Sequence, residues 1–243
     1  MKTFLIQTID DQIKHDFAFN LVESINFNNW YYGEDTYKIK YYNFPTSTIT
    51  DMDYKDEYKN CIPIGSLDFV FEYCKVFHYK NRKDFVPINI PQELMNYEFT
   101  RRNCYYANNK DIKEGKWFVK SATEYKKFLD IINDPSILPK DNYLVSEEVE
   151  IDSEWRAFIY NRKLVGLNNY AGDFTLFPKV NVIEKMIETY IKCPYSYTLD
   201  IGVSERGTFI IEVHPMISVG LYGFADYRIL PQMFRSGFNW FIQ

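Results

Sequence analysis

The sequence predicts an α+β protein in which a small α/β region precedes a larger part rich in antiparallel hairpins. Strand-like and helix-like segments alternate through residues 2–76, and two later segments each hold a pair of strand-like runs joined by a turn. Of the 243 residues, 46% are hydrophobic, which is enough to form a real core. Pro87 and Pro91 mark a connection, so we predict domains at 1–98 and 99–243.

The N-terminal region has the pattern of a small α/β domain. We predict strands at 2–9, 37–43 and 61–64 and helices at 12–25 and 67–76. The inward-facing positions of the first helix are Ile13, Phe17, Leu21 and Ile25. Ser66 has the position of an N-cap for the second helix, and Asp68 lies in its first turn, where a negative charge is favourable.

The second part contains short strands, two hairpins and two predicted helices. Strands are predicted at 116–120, 143–151, 156–160, 163–167, 197–203 and 208–214. Ser121 and Glu124 form a capping-box pattern, which predicts that the first strand runs directly into a helix. Helical spacing after this box is found at Tyr125, Phe128, Leu129 and Ile132. A second helix is predicted at 180–192, with an apolar stripe of Val180, Ile183, Ile187, Tyr190 and Ile191.

The last hairpin carries acidic residues on its apolar strands. If its loop is 205–207, with the glycine in the left-handed position of a bulged turn, Asp200 lies opposite Glu212. Side chains alternate along a strand, so His214 shares the face of Glu212. Opposed carboxylates repel unless a cation lies between them, and Mg²⁺ prefers oxygen ligands. The pair therefore predicts a metal site, and the alternative is two solvated carboxylates on an outer sheet face.

Composition argues against several other classes of protein. The formal net charge of -5 disfavours a sequence-independent nucleic-acid binder, which needs an excess of Lys and Arg. The opening residues lack the apolar run of a signal peptide, and no stretch of about 18 apolar residues occurs. We therefore expect a cytoplasmic protein that binds neither nucleic acid nor membrane.

The order of these motifs resembles the ATP-grasp superfamily. The resemblance rests on a strand lysine, an acidic strand end, E-W-R at the start of a hairpin, and then L-D-I-G-V and I-I-E-V-H-P, over about residues 115–220. Further motifs resemble the clade named for two arginines and a lysine: GSLDFV at 65–70, YEFTRR at 97–102, EWRAFIY at 154–160 and GLYG at 220–223. The resemblance implies an ATP-grasp fold of two α+β subdomains that hold ATP between them, preceded by a small α/β N-terminal domain.

The resemblance also implies positions for the nucleotide. Lys120 matches the strand lysine that contacts phosphates, where an ammonium acts as a compact point charge. The backbone around Glu148 and Val149 matches the adenine hinge, with Glu147 assisting. Glu154 matches the carboxylate that binds ribose. The alternatives are an exposed strand lysine and an ordinary acidic strand end.

Arg156 is the second predicted catalytic residue beside Lys120. It lies two residues after Glu154, so both side chains share one face of a strand. Its guanidinium can pair with a phosphate through two parallel hydrogen bonds, as lysine cannot. The alternative is a structural pair with Glu154. Arg101 and Arg102 are weaker candidates for holding an acceptor carboxylate.

Asp200, Glu212 and His214 match the family's metal positions, with one departure. The family commonly has Asn where this chain has His214, and an imidazole nitrogen is a softer ligand than an amide oxygen. The resemblance implies ATP and Mg²⁺ as cofactors, and His214 raises Mn²⁺ as a second choice or a contact with substrate instead of metal.

A second departure concerns the loop that follows the strand lysine. Many family members have a Gly/Ser-rich loop there, whereas Ser121 is followed by no nearby glycine. Phosphate binding is then expected to rely on Lys120, Arg156, the metal, and Lys126 or Lys127.

The resemblance implies a ligase that forms an amide or peptide bond through an acyl phosphate. Its partners are ATP, a carboxylate substrate, and an amine acceptor that is an amino acid, a peptide or a protein terminus. Two alternatives stay open: an ATP-binding module without ligase activity, and a divalent-metal hydrolase that uses Asp200, Glu212 and His214 without ATP.

Overall fold

A computed structural model describes residues 2–33, 35–44 and 56–243. The strands are β1 (Lys2–Thr8), β2 (Tyr37–Asn43), β3 (Cys61–Ile64), β4 (Cys104–Asn108), β5 (Trp117–Ser121), β6 (Leu129–Ile132), β7 (Asn142–Ser146), β8 (Ser153–Tyr160), β9 (Lys163–Gly172), β10 (Ser196–Ser204) and β11 (Gly207–Pro215). The helices are α1 (Asp16–Tyr32), α2 (Leu67–His78), α3 (Tyr97–Thr100), α4 (Val180–Thr189) and α5 (Leu230–Phe241). No helix in these ranges is both long and apolar enough to cross a membrane.

Contacts within the chain divide it into two compact units. The first contains Met1–Asp84, Pro194–Ser196 and Pro215–Gln243, and the second contains Phe85–Cys193 and Tyr197–His214. The second unit thus begins at Phe85, and the last segment of the chain packs with the first unit. The predicted domains at 1–98 and 99–243 stay a prediction.

The first unit is built on a parallel three-stranded sheet in the order β2-β1-β3. Phe4, Leu5 and Ile6 of the central strand are fully buried. Parallel strands buried on both faces are expected to be continuously apolar, as this run is. All three strands were predicted within one residue of their observed bounds.

Two helices of this unit were predicted, one of them with shifted bounds. In α2, the Phe69 backbone N–H donates to the Ser66 hydroxyl at 3.2 Å, which confirms the predicted N-cap. Helix α1 begins at Asp16, four residues later than predicted, and continues to Tyr32, where Gly33 ends it in a left-handed conformation with φ +67°. Of its predicted inward positions, Phe17, Leu21 and Ile25 are buried, whereas Ile13 precedes the helix.

The second unit contains two antiparallel-rich four-stranded sheets. One has the order β4-β7-β5-β6 and the other β11-β10-β8-β9. Each sheet has its own apolar cluster, around Val119 and Val145 in the first and around Leu199 and Ile201 in the second. Helix α4 packs on the second sheet through Ile183, Met186 and Ile187. This mixture of helices and antiparallel sheets after a small parallel domain confirms the predicted α+β fold class.

The helix predicted directly after Ser121 is wrong. The chain turns there instead and returns as β6, antiparallel to β5, with Lys120 opposite Leu129. The Ser121 hydroxyl, predicted to cap a helix, donates to the Asp141 carboxylate at 2.9 Å. Lys126 has a left-handed backbone, φ +56°, which no helix tolerates. A local helical pattern was thus overridden by strand pairing and by a long-range hydrogen bond.

Smaller corrections apply to α4 and to the final hairpin. Helix α4 ends at Thr189, so Ile191 is 74% exposed and lies outside the predicted stripe. In the last hairpin, Gly207 begins β11, so the connection is the two residues 205–206 rather than 205–207. The glycine keeps a left-handed φ of +92°, as the predicted turn required.

Candidate active site

A row of charged side chains crosses the β11-β10-β8-β9 sheet and reaches β5 of the other sheet. Lys120 of β5 contacts the Glu212 carboxylate of β11 through an ion pair, and both side chains are about one-fifth exposed, at 20% and 23%. His214 lies beyond Glu212, with its Nε2 2.9 Å from Glu212 Oε1 and 3.5 Å from Asp200 Oδ2. The structure thus brings together the acidic pair and the imidazole that strand alternation predicted.

These groups shift one another's protonation. Burial alone lowers the pKa of His214, but the charge of Glu212 and hydrogen bonds to Asp200 and Glu212 outweigh it and raise the pKa to about 9. Burial alone raises the pKa of Glu212, but the charges of His214 and Lys120 hold it well below its usual range. The pKa of Asp200 is lowered too, because hydrogen bonds from Arg156 and His214 outweigh its burial. The carboxylates therefore stay ionised and attract positive charge to this point.

Arg156 forms the buried end of the row. Its Nε and Nη2 each donate to Asp200, to Oδ1 and Oδ2, at 2.8 Å, and Arg156 is only 7% exposed. The predicted alternative, a pair with Glu154, is absent from the described contacts. Glu154 instead accepts a 2.8 Å hydrogen bond from the Tyr170 hydroxyl, and the Tyr170 ring centroid lies 5.7 Å from the Arg156 guanidinium carbon. Tyr170, which the sequence analysis missed, thus contacts both residues.

The donor set at the centre of this row fits a divalent cation. Asp200, Glu212 and His214 each offer one ligand atom, and these atoms all lie within 4.8 Å of one another. Two carboxylates suit Mg²⁺ or Mn²⁺, and the imidazole favours Mn²⁺ relative to an amide oxygen. Lys120 and Arg156 already form ion pairs with Glu212 and Asp200. A metal ion at this position would therefore share these carboxylates with the two side chains.

A cleft of about 250 Å³ has mainly apolar walls, and Lys120 and Glu212 are among the residues that line it. Its lining residues are Arg102, Phe118, Lys120, Leu129, Ile131, Leu144, Ser146, Glu147, Glu148, Val149, Ile151, Ile211 and Glu212. Leu129 and Leu144 flank Lys120 on the neighbouring strands. Mainly apolar walls with a limited number of polar and charged groups suit a nucleotide base and its phosphates.

The predicted adenine hinge, 147–149, lies in the wall of this cleft. The Glu147 carboxylate is held by Asn103, whose backbone N–H donates to it at 3.1 Å. Across the described residues, no hydrogen bond engages the backbone of Glu148 or Val149. Their N–H and C=O groups are therefore free to bind the edge of a base. Glu154, predicted to bind ribose, is not among the described residues that line the cleft.

Arg102 also lines the cleft, but its guanidinium is engaged by the protein. It donates to Ser146 Oγ at 2.8 Å and to the carbonyls of Thr100 and Ile210, both at 2.9 Å, and it is 6% exposed. These bonds tie together the 97–102 segment and strands of both sheets. Arg101 has a left-handed backbone at the end of α3, with φ +50°, and is not among the described residues that line the cleft. The Arg102 guanidinium is thus already bound by protein acceptors, whereas the role of Arg101 as a carboxylate binder stays a prediction.

The turn after β5 is organised by a residue that the sequence did not indicate. The Asp141 carboxylate, in a residue that is 9% exposed, accepts hydrogen bonds from Ser121 and Thr123 at 2.9 and 2.6 Å. Lys127, predicted to assist phosphate binding, lies 3.0 Å from the same carboxylate. Two hydroxyls and a lysine thus bind one buried carboxylate in the turn after β5, where the sequence lacks a nearby glycine. Asp141 lies 20 residues from Ser121, and no local pattern marks it.

Solved structures with a similar fold include a ligase, a synthetase and an ATP-grasp protein. D-alanine–D-alanine ligase from Bacillus anthracis, complexed with ATP, has 12% identity, 98% coverage of both chains and a TM-score of 0.56. N5-carboxyaminoimidazole synthetase from Staphylococcus aureus has 10% identity, covering 97% of this chain and 77% of its own, with a TM-score of 0.56. A RimK domain ATP-grasp protein from Sphaerobacter thermophilus has 10% identity, 98% and 99% coverage, and a TM-score of 0.52. No curated protein sequence matches the chain.

The fold that these structures share with this chain is the ATP-grasp fold. Residues 99–230, more than half of the chain, match the family described as "ATP-grasp domain, R2K clade family 2". The chain belongs to this family of the ATP-grasp superfamily. Both the resemblance found in the sequence motifs and the predicted fold are thereby confirmed.

Proposed function

We propose that this protein is an ATP-dependent carboxylate–amine ligase. The observation that carries the proposal is the continuity of one site: an apolar cleft with free backbone groups at 148–149 is also lined by Lys120 and Glu212, the first two residues of the charged row. A base in the cleft directs its phosphates towards that row. Family membership supports the same chemistry.

The reaction consists of two displacements. A carboxylate oxygen of the substrate attacks the γ-phosphorus of ATP, the bond to the β-phosphate oxygen breaks, and ADP leaves. The amine nitrogen then attacks the acyl carbon, phosphate leaves, and the amine loses a proton as the amide forms. The chain needs no nucleophile of its own, because positioning and charge neutralisation account for most of phosphoryl transfer.

The residues of the charged row divide this work. Lys120, in the wall of the cleft, binds the phosphates of ATP. Arg156 orients the carboxylate substrate and compensates the charge that develops on the transferred phosphoryl group. Asp200, Glu212 and His214 would hold Mg²⁺ or Mn²⁺, and the ion would supply further neutralisation of the phosphate charge. The backbone of Glu148 and Val149 holds the adenine, with Glu147 supporting it. The resemblance to the family assigns the ribose to Glu154, which lies outside the lining of this cleft and whose carboxylate is positioned by the Tyr170 hydroxyl.

The substrates are a carboxylic acid and an amine of the amino-acid, peptide or protein-terminus class. ATP-dependent amide formation requires a carboxylate on one substrate and an amine on the other, and it does not determine how large either substrate is. The open alternatives differ in what they require of ATP. A hydrolase working through the metal needs no nucleotide, whereas an ATP-binding module binds ATP without turning it over.

The pairing of the acidic residues favours the ATP-binding module as a second candidate. Arg156 occupies both oxygens of Asp200, and Lys120 occupies Glu212. If the carboxylates stay paired in this way, Lys120 and Arg156 bind the phosphates of the nucleotide and no metal site forms. Release of ADP that depends on an added amine distinguishes the ligase from this module.

Mg-ATP is expected to raise the melting temperature of the protein. A ligand at about 100 times its Kd adds about 2.7 kcal/mol of stability, and each kcal/mol corresponds to about 2–4 °C for a protein of this size. The measurement is a thermal melt with and without millimolar Mg-ATP. Absence of any shift with ATP and with other nucleotides would contradict the proposal.

Two matched variants locate the site in this measurement. Leu129→Glu places a negative charge on an exposed cleft residue beside Lys120 and is expected to abolish the shift. Ile137→Glu makes a comparable change at a residue that is 66% exposed and not in the cleft lining, so the shift should persist. Loss of the shift in both variants would indicate a general loss of folding.

A further inference from the structure

Asn89 lies in the connection before the second unit's sheets, and its conformation is unfavourable in two respects. Its backbone is left-handed, with φ +52°, and the residue is 1% exposed. Its side-chain oxygen Oδ1 is buried and has no hydrogen-bond donor among the described residues. Left-handed backbone and a buried unpaired acceptor each cost stability, and such features persist where the surrounding structure requires them.

The backbone of Asn89 is attached to the strand that carries Glu212 and His214. The Val213 N–H donates to the Asn89 carbonyl at 2.7 Å, and the two residues form an isolated antiparallel bridge. Val213 lies between the two predicted metal ligands and is 1% exposed. The bridge therefore fixes the position of β11 relative to Asn89 at the predicted metal site.

The side chain of Asn89 is attached to the strand that carries Lys120. Its Nδ2 donates to the Ser121 carbonyl at 3.2 Å, and Ser121 is 1% exposed. Because that partner is a carbonyl, only the amide nitrogen can make this bond, so the orientation of the amide is determined. One residue thus bonds to the direct neighbour of Lys120 and to the residue between Glu212 and His214.

We propose that Asn89 is a positioning residue that ties β5 to β11 and so sets the spacing of Lys120 from Glu212. The inference rests on the proposed function, because that spacing matters where the phosphates and the metal meet. Asparagine suits the position since it tolerates the left-handed backbone and carries an N–H donor at the required reach. Aspartate has the same shape and lacks the donor.

Asn89→Gly removes the side-chain tie and keeps the left-handed backbone and the bond to Val213. We expect kcat for ATP turnover to fall by about 10-fold or more, since a displacement of about 1 Å at reacting groups can cost about 10² in rate. The KM for ATP should change by less than about 3-fold, because the cleft walls are untouched. Asn89→Asp should lose at least as much activity. Equal kcat values for wild type and both variants would overturn the inference.

The matched control is Asn161→Gly, which removes another left-handed asparagine, with φ +48°, from the exposed β8–β9 turn. It should retain wild-type kcat. Melting temperatures are measured for all variants. Should both Asn89 variants fail to fold while Asn161→Gly folds, Asn89 is a stability residue and the positioning role is overturned.

A second measurement needs no turnover and separates this inference from the proposed function. Lys120 is labelled with an amine reagent, and its modification is followed by peptide mass spectrometry. A lost hydrogen bond changes an equilibrium by about 2- to 10-fold, so Asn89→Gly should raise the labelling rate of Lys120 within that range, and Asn161→Gly should not. If the wild-type protein does not turn over ATP, only the proposed function is contradicted. If labelling of Lys120 is unchanged in Asn89→Gly, the positioning role is contradicted.

Discussion

Lys120→Ala is expected to lower the rate of ATP turnover by about 10²-fold or more while the protein stays folded. The loss of one preorganised charge that stabilises a transition state commonly has this effect. Lys120 is partly exposed, and Glu212 keeps its 2.9 Å contact with His214 when the lysine is removed, so the fold should tolerate the change. The measurement is the steady-state rate of ADP release, with circular dichroism to check folding.

Lys116→Ala is the matched control for this experiment. Lys116 also forms an ion pair, at 2.5 Å, with the carboxylate of Glu148, a residue that lines the cleft, and the Lys116 side chain is 58% exposed. It is not among the described residues that line the cleft, so its removal should leave turnover unchanged. Equal activity of Lys120→Ala and wild type would remove Lys120 from the site.

Arg156→Ala is expected to reduce both turnover and stability, the latter by about 3–5 kcal/mol. Asp200 is 3% exposed, and removing its partner leaves a buried carboxylate without its two 2.8 Å hydrogen bonds from the guanidinium. Removing both charges together should cost less, because no unpaired ion is then left in the interior. The free energy of unfolding of wild type, both single variants and Arg156→Ala/Asp200→Ala is measured by denaturant titration.

A solvent-exposed pair provides the control for this cycle. The Arg228 guanidinium makes two hydrogen bonds to Asp226, at 3.0 and 2.9 Å, and the arginine side chain is 74% exposed. Water replaces those bonds in Arg228→Ala, so the change in unfolding free energy should be much smaller than for Arg156→Ala. Simple additivity of the Arg156 and Asp200 single variants would show that the buried pair is not coupled.

Strand alternation and turn chemistry were sufficient to predict most of the hairpins and the centre of the site. The convergence of Asp200, Glu212 and His214 follows from a period of two on paired strands, and the structure confirms it within 4.8 Å. This part of the site was predictable because it depends on contacts between residues close in sequence. Their roles as metal ligands stay a prediction.

The failed helix after Ser121 shows where local patterns are insufficient. Tyr125 and Ile132 are buried, as the helical stripe required, but one lies in a turn and the other in a strand. Leu129 is 61% exposed because it faces the cleft and not a core. Apolar residues that line a ligand cleft are indistinguishable in sequence from core residues, and here they produced a false helical period.

Long-range polar contacts could not be predicted from one sequence. Arg156 and Asp200 are 44 residues apart, and Arg102 bonds to Ile210 across 108 residues. Neither strand alternation nor the capping rules specify such partners. The sequence analysis therefore named only Glu154 as a candidate structural partner of Arg156 and did not identify Asp200. Asn89 lacked any signal beyond its place between two prolines, because its role depends on strands that meet only in the fold.

The most direct measurement of the central claim is product analysis with ATP, Mg²⁺ and pools of amino acids and peptides. The account predicts ADP and phosphate in equal amounts, formed only when a carboxylate and an amine are both present, together with an amide-linked product identified by mass spectrometry. Glu212→Ala serves as the inactive reference. If ATP binds to the protein but stays intact with every pool, the result would contradict the ligase and favour the ATP-binding module. Hydrolysis of a compound in the pools without ATP would favour the metal hydrolase.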